Sequence, residues 1–254
     1  MKKSTGLADV ETTSNTLFDG ALRCLQHRIG YRFSIDPVLL AHFVRLTRDE
    51  AVLDLGAGCG VIGLILLYRA RERIRMLTAL ELQTGLTRLI EENISINHFE
   101  KVMQVVEGDL RNIQQYFVPE SFSTVVCNPP FYPAGSGRVS SCKESEIARH
   151  QVACSLPEVI AAAAVAVKNR GRVYLVYPAE GLGDLLHLLA SQQLIVKRMQ
   201  LVYSYPDKSM AARLLLLEAV KNGGEGVDVR PPLYIYDRKN GDYSEAMQQF
   251  YKPN

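Results

Sequence analysis

Residues 52–60 read Val-Leu-Asp-Leu-Gly-Ala-Gly-Cys-Gly, an aliphatic run that leads into three glycines at alternate positions. The run before the glycines is typical of a buried strand, and the apolar residues 61–70 that follow predict a buried helix. Glycines between a strand and a helix let the backbone turn sharply and lie close to a ligand at the carboxyl edge of a parallel sheet. The stretch therefore predicts a ligand-binding loop in an α/β fold.

The glycine spacing also indicates the kind of ligand. The dinucleotide fingerprint is Gly-x-Gly-x-x-Gly, but Val61 stands where its third glycine belongs. Asp54, two residues before the first glycine, can neutralise an ammonium group, while Gly56, Gly58 and Gly60 clear space beside it. This pattern favours a ligand that joins an adenosine to an amino acid, with no pyrophosphate. The alternative is a glycine turn that serves helix packing alone.

Short aliphatic runs alternate with longer amphipathic ones from residue 51 onward, which is typical of βαβ units and a parallel sheet. Strands are predicted at 51–55, 75–81, 102–107, 122–127, 172–177, 194–203 and 212–220, and helices at 61–70, 84–97, 110–117, 155–167 and 179–191. The turn at 205–208 is so short that the last two strands must be antiparallel. We predict an α/β fold with a mostly parallel seven-stranded sheet, an antiparallel terminal hairpin and helices on both faces.

The predicted organisation is one large domain with short additions. Residues 1–17 form a mobile tail, and 18–221 form the domain, which begins with a helical cap. The cap helix starts where Asp36 stands before Pro37, a capping carboxylate followed by proline at the first helical position. Residues 222–254 form an extension of one edge strand and one helix packed on the same domain.

Composition excludes several classes. The chain has 254 residues, 47% of them hydrophobic, and a formal net charge of +2, which is ordinary globular usage and excludes wholesale disorder. Its apolar stretches are too short to cross a bilayer, and its N-terminus lacks the apolar core of a secretory signal. Five scattered cysteines predict neither a disulfide framework nor a metal site. We expect a cytoplasmic protein with no membrane or metal partner, and its oligomeric state stays open.

Acidic residues follow two further predicted strands. Glu81 ends the second strand, where a carboxylate can accept both hydroxyls of a ribose. Asp109 follows the third strand and can accept a hydrogen bond from an adenine amino group or cap the next helix. Glu81 alone is a weak signal, because a glutamate at a strand end is commonly just solvated.

Asn128-Pro129-Pro130-Phe131 directly follows the fourth strand and carries the most specific chemistry. Two prolines hold the backbone extended, so the Asn128 side chain and the Pro129 carbonyl become fixed acceptors at the sheet edge. Two acceptors with an aromatic ring behind them suit a planar amine, whose N–H hydrogens they hold while Phe131 stacks on its plane. A plain Pro-Pro turn is the alternative.

Together these motifs resemble the class I S-adenosylmethionine-dependent methyltransferases that act on amino groups, which share a Rossmann-like fold. Within that group, the chain is similar to the bacterial tRNA (adenine-N6)-methyltransferases. The similarity rests on residues 31–40 (Tyr-Arg-Phe-Ser-Ile-Asp-Pro-Val-Leu-Leu), 147–150 (Ile-Ala-Arg-His) and 243–246 (Tyr-Ser-Glu-Ala).

The resemblance implies S-adenosylmethionine as cofactor, S-adenosylhomocysteine as product, and the adenosine next to the anticodon of a tRNA as substrate. It assigns catalysis to Asn128, Pro129 and Phe131. Cofactor contacts fall to Asp36, Asp54, Gly56, Gly58, Gly60, Glu81, Asp109 and Asn128, and substrate contacts to Arg32, Phe131, Tyr132, Arg149 and His150. Further RNA contacts are expected from Arg23, Arg28, Arg138 and Lys143, which we place at the mouth of the pocket.

Other acceptors fit the same chemistry. A protein glutamine amide or a ribosomal RNA guanine amino group is also planar, although the glutamine-modifying family has a large helical domain before its glycine loop and only 51 residues precede Val52 here. A non-catalytic nucleotide-binding module and a nucleotide-dependent oxidoreductase are the alternatives from other classes. Val61 argues against the oxidoreductase.

Overall fold

The computed structural model describes residues 12–28, 34–129, 154–207 and 209–253. The strands are β1 (Thr12–Leu17), β2 (Leu22–His27), β3 (Glu50–Leu55), β4 (Ile74–Glu81), β5 (Met103–Glu107), β6 (Phe122–Cys127), β7 (Val167–Pro178), β8 (Leu194–Tyr203), β9 (Leu214–Lys221), β10 (Asp228–Val229) and β11 (Leu233–Tyr234). The helices are α1 (Asp36–Phe43), α2 (Val61–Ala70), α3 (Thr84–Ile96), α4 (Leu156–Ala166), α5 (Leu182–Ser191) and α6 (Glu245–Gln249).

The main sheet runs in the order β8, β9, β7, β6, β3, β4, β5. Its strands are parallel except β9, which pairs antiparallel with both β7 and β8. This confirms the predicted mostly parallel sheet with an antiparallel terminal hairpin. Two short strands extend it, because β10 and β11 both pair parallel with β8.

Helices cover both faces of this sheet, as predicted. Alternate residues of β3 point to opposite faces, so Val52 joins the core beneath α1, α2 and α3, while Leu53 joins the core beneath α4 and α5. Both side chains are fully buried. Burial on both faces explains why β3 reads as a continuous apolar run in the sequence.

The N-terminal region differs from the prediction. Residues 12–17, expected in a mobile tail, form β1, which pairs antiparallel with β2. The turn between the strands places Phe18, Asp19 and Gly20 at positive φ, and Asp-Gly is a common hairpin signal. The main domain therefore begins with a β-hairpin as well as the expected helix α1.

Several element boundaries also differ. Helix α1 includes Asp36 in its first turn, and Ile35 occupies the cap position without a side-chain bond, so Asp36 is not the cap. Strand β7 begins at Val167, five residues earlier than expected, since the polar stretch after α4 is already extended. The predicted helix at 110–117 is a 3-10 turn over Leu110–Gln115.

A capping box opens α4. The backbone N–H of Ser155 donates to Glu158 Oε2 at 2.7 Å, and the serine side chain caps the helix in return. No helix in the described part of the chain is long and apolar enough to span a membrane.

The C-terminal residues lie against the end of β8. Strand β11 pairs with Val202 and Tyr203, the last residues of β8. Ser244 Oγ donates to Tyr234 O at 2.6 Å and accepts from Met247 N at 3.2 Å, so one serine joins β11 to α6. Met247 is fully buried, which anchors α6 in the core beneath α1 and α2.

Candidate active site

The site forms where the chain order of the sheet reverses. From β3 the chain continues outward to β4 and β5 on one side, and β6 then starts the other half from its place beside β3. Asp54 of β3 lies opposite Val126 of β6, so the carboxyl ends of these two strands lie side by side. A crevice at such a switch point is where open α/β sheets bind ligands.

The glycine loop between β3 and α2 has a backbone conformation that glycine adopts readily and other residues do not. Gly56, Gly58 and Gly60 have φ of 74°, 61° and 80°, which L side chains rarely adopt. The N–H groups of Gly56 and Ala57 donate to Leu80 O on β4 at 2.9 and 3.1 Å. The loop is thus held against the neighbouring strand.

Asp54 lies beneath this loop and is completely buried. Its Oδ2 accepts from Gly63 N at 3.3 Å, and its Oδ1 has no hydrogen-bond partner. Burial raises the pKa of this carboxyl to about 7, the Gly63 bond opposes the shift, and the nearby charge of Glu81 adds to it. A buried carboxylate oxygen without a partner favours a cationic or N–H donor ligand.

Glu81, at the end of β4, supports the loop. Its Oε2 accepts from Gly58 N at 2.9 Å and its Oε1 accepts from Gln83 N at 3.0 Å. The side chain is buried, and this burial raises its pKa. Backbone N–H groups of Gly58, Leu82 and Gln83 and the Gln83 side chain donate to this carboxyl and oppose the rise in its pKa.

Asp109 follows β5 and caps the 3-10 turn, accepting from Arg111 N at 2.9 Å. It also forms an ion pair with Arg111, whose Nε donates to Oδ1 at 2.9 Å and to Oδ2 at 2.8 Å. This pairing lowers the pKa of Asp109. The capping prediction is correct, and the guanidinium already occupies much of the acceptor capacity foreseen for an adenine amino group.

Asn128 directly follows β6, and its Oδ1 is buried without a hydrogen-bond partner. Pro129 is buried as well. The preceding Cys127 donates from its thiol to Leu55 O at 3.0 Å, which ties the end of β6 to the end of β3. The structure therefore places two unpartnered acceptors, on Asp54 and Asn128, at the ends of adjacent strands.

Asp36 reaches the same edge of the molecule. The charge of Arg213 acts on its carboxyl, and Arg213 directly precedes β9, whose first residue pairs with Pro178 at the carboxyl end of β7. Burial is the larger effect and raises the pKa of Asp36. Arg213 was not foreseen, because only the sheet pairing brings it to Asp36.

The predicted substrate residues Arg32, Phe131, Tyr132, Arg149 and His150 lie outside the described residues, as do Arg138 and Lys143. Arg28 follows β2 near the start of α3, since a Cβ on Gly85 would meet the ring of His27 at 3.6 Å.

Arg23 was expected at the mouth of the pocket, and the structure contradicts this. Its backbone pairs with Asn97, just beyond the far end of α3 from Glu81. The reason is the β-hairpin, which carries Arg23 away from the carboxyl edge of the sheet.

Two asparagines of the α3 region were also missed. Asn93 is completely buried, and both Asn93 and Asn97 bond to the backbone of β2. Asn93 lies on the same helix face as the buried Leu89, Ile90 and Ile94. A polar residue on an apolar face indicates a specific hydrogen-bond partner.

Comparison with known proteins decides the family. The model described as methyltransferase small domain matches residues 35–180, more than half of the 254-residue chain. The chain belongs to the methyltransferase small domain family. It is an S-adenosylmethionine-dependent methyltransferase of class I, as the sequence motifs predicted.

Curated relatives cover most of the methyltransferase. The tRNA1(Val) (adenine(37)-N6)-methyltransferase of Shewanella loihica is 27% identical over 230 residues, which cover 87% of this chain and 93% of the relative. The protein of the same name from Shewanella halifaxensis is 26% identical over 235 residues, covering 88% and 94%.

Solved structures share the fold. The "predicted O-methyltransferase" Atu636 of Agrobacterium tumefaciens superposes with a TM-score of 0.67 at 18% identity, covering 85% of this chain and 95% of that one. TYW2 of Pyrococcus horikoshii in complex with MeSAdo gives a TM-score of 0.58 at 15% identity, covering 85% and 73%. Both likenesses support the Rossmann-like class I architecture.

The residues at the switch point fit the cofactor. S-adenosylmethionine presents cationic groups, ribose hydroxyls and an adenine amino group, all of which need acceptors or negative charge. The site offers two buried carboxylates and an amide oxygen, and two of these three side chains carry an unpartnered atom. Among the described residues there is no cluster of His, Cys, Asp or Glu that could hold a metal ion.

Proposed function

We propose that this methyltransferase transfers a methyl group to the exocyclic N6 of an adenosine in tRNA, the adenosine next to the anticodon. The observation that carries the proposal is the buried, unpartnered Oδ1 of Asn128 beside Asp54 at the switch point. The names of the relatives, tRNA1(Val) (adenine(37)-N6)-methyltransferases, support the choice of acceptor.

The cofactor occupies the crevice above the glycine loop in this proposal. Asp54 Oδ1 faces the amino-acid part of the cofactor, and Glu81 accepts from its ribose. Gly56, Gly58 and Gly60 leave room for the cofactor to contact the backbone of the loop. Asp109 accepts from the adenine once Arg111 yields part of the carboxylate. Asp36, on whose carboxyl the charge of Arg213 acts, is assigned to the amino-acid end of the cofactor in this proposal.

The chain contributes position and hydrogen bonding to the reaction. An adenine amino nitrogen is a poor nucleophile, because its lone pair is delocalised into the ring. Asn128 Oδ1 and the Pro129 carbonyl accept hydrogen bonds from its two N–H groups and hold the nitrogen in line with the methyl group. Orientation therefore supplies most of the rate enhancement. Bound S-adenosylmethionine would supply that methyl from its sulfonium: the carbon–nitrogen bond would form as the carbon–sulfur bond breaks, S-adenosylhomocysteine would leave as a neutral thioether, and the nitrogen would release one proton to solvent.

The adenine has to leave its stack to reach Asn128. Extrusion costs least in an unpaired loop, which favours an anticodon loop over a helical stem. Phe131 stacks on the extruded base, and Arg32, Tyr132, Arg149 and His150 contact the RNA around it. Phosphate contacts of this kind predict binding that weakens steeply with salt.

Comparison of Asn128→Ala with the parent enzyme tests the role of Asn128. We expect the variant to bind S-adenosylhomocysteine within a few-fold of the parent and to lose at least about a hundredfold in methyl transfer to unmodified tRNA. Calorimetry measures the binding, and labelled cofactor measures the transfer. Normal transfer by the variant contradicts the proposal, as does label that appears in guanine or protein.

A further inference from the structure

Two asparagines pair with strand β2 as though they were a neighbouring strand. Asn97 Nδ2 donates to Arg23 O at 2.7 Å, and Asn97 Oδ1 accepts from Arg23 N at 3.0 Å. One helical turn earlier, Asn93 Nδ2 donates to Leu25 O at 3.0 Å, and its Oδ1 accepts from Leu25 N at 2.7 Å. We call this pair the amide ladder. It docks the N-terminal β-hairpin on α3, because residues four apart in a helix match residues two apart in a strand.

Only the inner rung of the amide ladder reaches the glycine loop in the described contacts. Asn93 Nδ2 donates a second bond to Cys59 O at 3.0 Å, and Asn93 is completely buried. Asn97 instead directs its second bond to Asn93 O at 2.8 Å. The two rungs therefore make the same pair of bonds to β2 and differ in their contact with the loop, and Asn97 is half-buried where Asn93 is fully buried.

The Cys59 carbonyl lies where the backbone of the loop has an unusual conformation. Cys59 stands between Gly58 and Gly60, both at positive φ, and the N–H of Gly58 is held by Glu81. The Sγ atoms of Cys24 on β2 and Cys59 lie 3.9 Å apart, both are buried, and both thiols are free. Hairpin and loop thus meet through Asn93 and through this thiol contact.

We propose that Asn93 is a positioning residue for the cofactor, which fixes the glycine loop against the N-terminal β-hairpin and so makes that hairpin part of the cofactor site. A loop with three glycines at positive φ loses much conformational entropy when it binds a ligand, unless the protein already holds it. Because the bond to Cys59 O already fixes the loop in the folded protein, less conformational entropy is lost when the cofactor binds. The inference rests on the proposed place of the cofactor above the loop.

Asn97→Ala is the matched control for Asn93→Ala. Each substitution removes one rung of the amide ladder and loosens the hairpin, but Asn93→Ala alone frees the Cys59 carbonyl. We expect Asn93→Ala to raise the Kd for S-adenosylhomocysteine by about tenfold, and Asn97→Ala to change it less than about twofold. Calorimetry on the full chain measures the two Kd values without any RNA, at a temperature well below the melting temperatures of both variants.

Asn93→Leu extends the test if Asn93→Ala does not fold. It keeps the approximate size of the side chain without burying a charge, and it removes the bond to Cys59 O together with the inner rung, as Asn97→Leu removes the outer rung alone. Hydrogen exchange at residues 56–60, and alkylation of Cys59 relative to the buried Cys127, then report the loop directly. Both should speed up in either Asn93 variant and stay at the parent level in Asn97→Ala.

The outcomes separate the two proposals. A parent enzyme that does not bind S-adenosylhomocysteine overturns the proposed cofactor site itself. A parent that binds, with equal losses of affinity in Asn93→Ala and Asn97→Ala, reduces Asn93 to a structural role and overturns the inference. Unchanged loop exchange in both Asn93 variants does the same.

Discussion

Asp54 carries a proton-linked prediction at the scale of single residues. Its raised pKa of about 7 means that, without cofactor, the folded protein holds a proton which the unfolded chain has lost, so Asp54 reduces stability as pH rises from about 4 to 7. The ammonium group of S-adenosylhomocysteine favours the carboxylate form. We therefore expect the affinity for S-adenosylhomocysteine to rise about tenfold between pH 6 and pH 8.

Calorimetry at the two pH values measures this dependence, with Asp54→Asn as the control. The variant keeps the shape of the side chain and cannot titrate, so its weaker affinity should be flat over the same range. Equal affinity of the parent enzyme at pH 6 and pH 8 would show that the carboxylate does not face the cation.

Single residues also show how far sequence reasoning reaches. Asp54, Glu81 and Asn128 were each predicted near the end of a strand, and the structure has them at the ends of β3, β4 and β6. The hydrogen bonds of these side chains were not predictable. The bond from Gly58 N to Glu81, for example, depends on the dihedral angles of the loop. Asn93 escaped notice since its partner Leu25 lies 68 residues away in a hairpin that was not expected.

At the scale of elements, the packing of α2 on the sheet leads to a prediction about Gly63. A Cβ there would meet Leu77 Cδ2 at 2.8 Å and Met103 Cε at 2.9 Å, both in the buried core. Alanine gains up to about 1 kcal/mol in helix propensity, and overpacking costs about 1–3 kcal/mol. We expect Gly63→Ala to lower the free energy of unfolding by about 1 kcal/mol.

Gly183→Ala provides the comparison, because a Cβ at Gly183 in α5 meets nothing within 4 Å. Gly183→Ala should raise the free energy of unfolding by up to about 1 kcal/mol. Denaturant titration gives both values. A stabilised Gly63→Ala would mean that the contact between α2 and β4 is looser than the structure has it.

Elements were predicted best where the apolar pattern was long. Helix α2 and strands β6 and β8 have the expected boundaries, since glycine or polar residues flank each of these apolar-rich runs. Strand β1 was missed because residues 12–16 are polar and alternate only between exposed and half-buried positions. Its pairing with β2, rather than its own pattern, makes it a strand.

At the scale of the whole molecule, one aromatic cluster joins the β1–β2 turn and the residues after α6 to the core. His42 of α1 stacks on Phe250 with ring centroids 4.3 Å apart and contacts Phe18, which stacks on Tyr68 of α2. Burial, together with the charge of Arg69, lowers the pKa of His42 to about 3. The ring therefore stays neutral in the folded protein at any ordinary pH.

This cluster predicts acid sensitivity of the fold. Below about pH 6.5 the unfolded chain binds a proton at His42 and the folded chain does not, so stability falls as pH falls. Relative to the parent, His42→Phe should gain about 2 kcal/mol in free energy of unfolding between pH 8 and pH 5. Denaturant titrations at both pH values measure the difference, and a constant difference contradicts the assignment.

The most direct test of the central claim is methyl transfer to a defined tRNA. An unmodified valine tRNA transcript with adenosine at position 37 is incubated with labelled S-adenosylmethionine, beside the same transcript with guanosine at that position, and the nucleosides are analysed. The account predicts N6-methyladenosine in the first transcript alone, and none with Asn128→Ala. Label in both transcripts, or in neither while S-adenosylhomocysteine still binds, would contradict it.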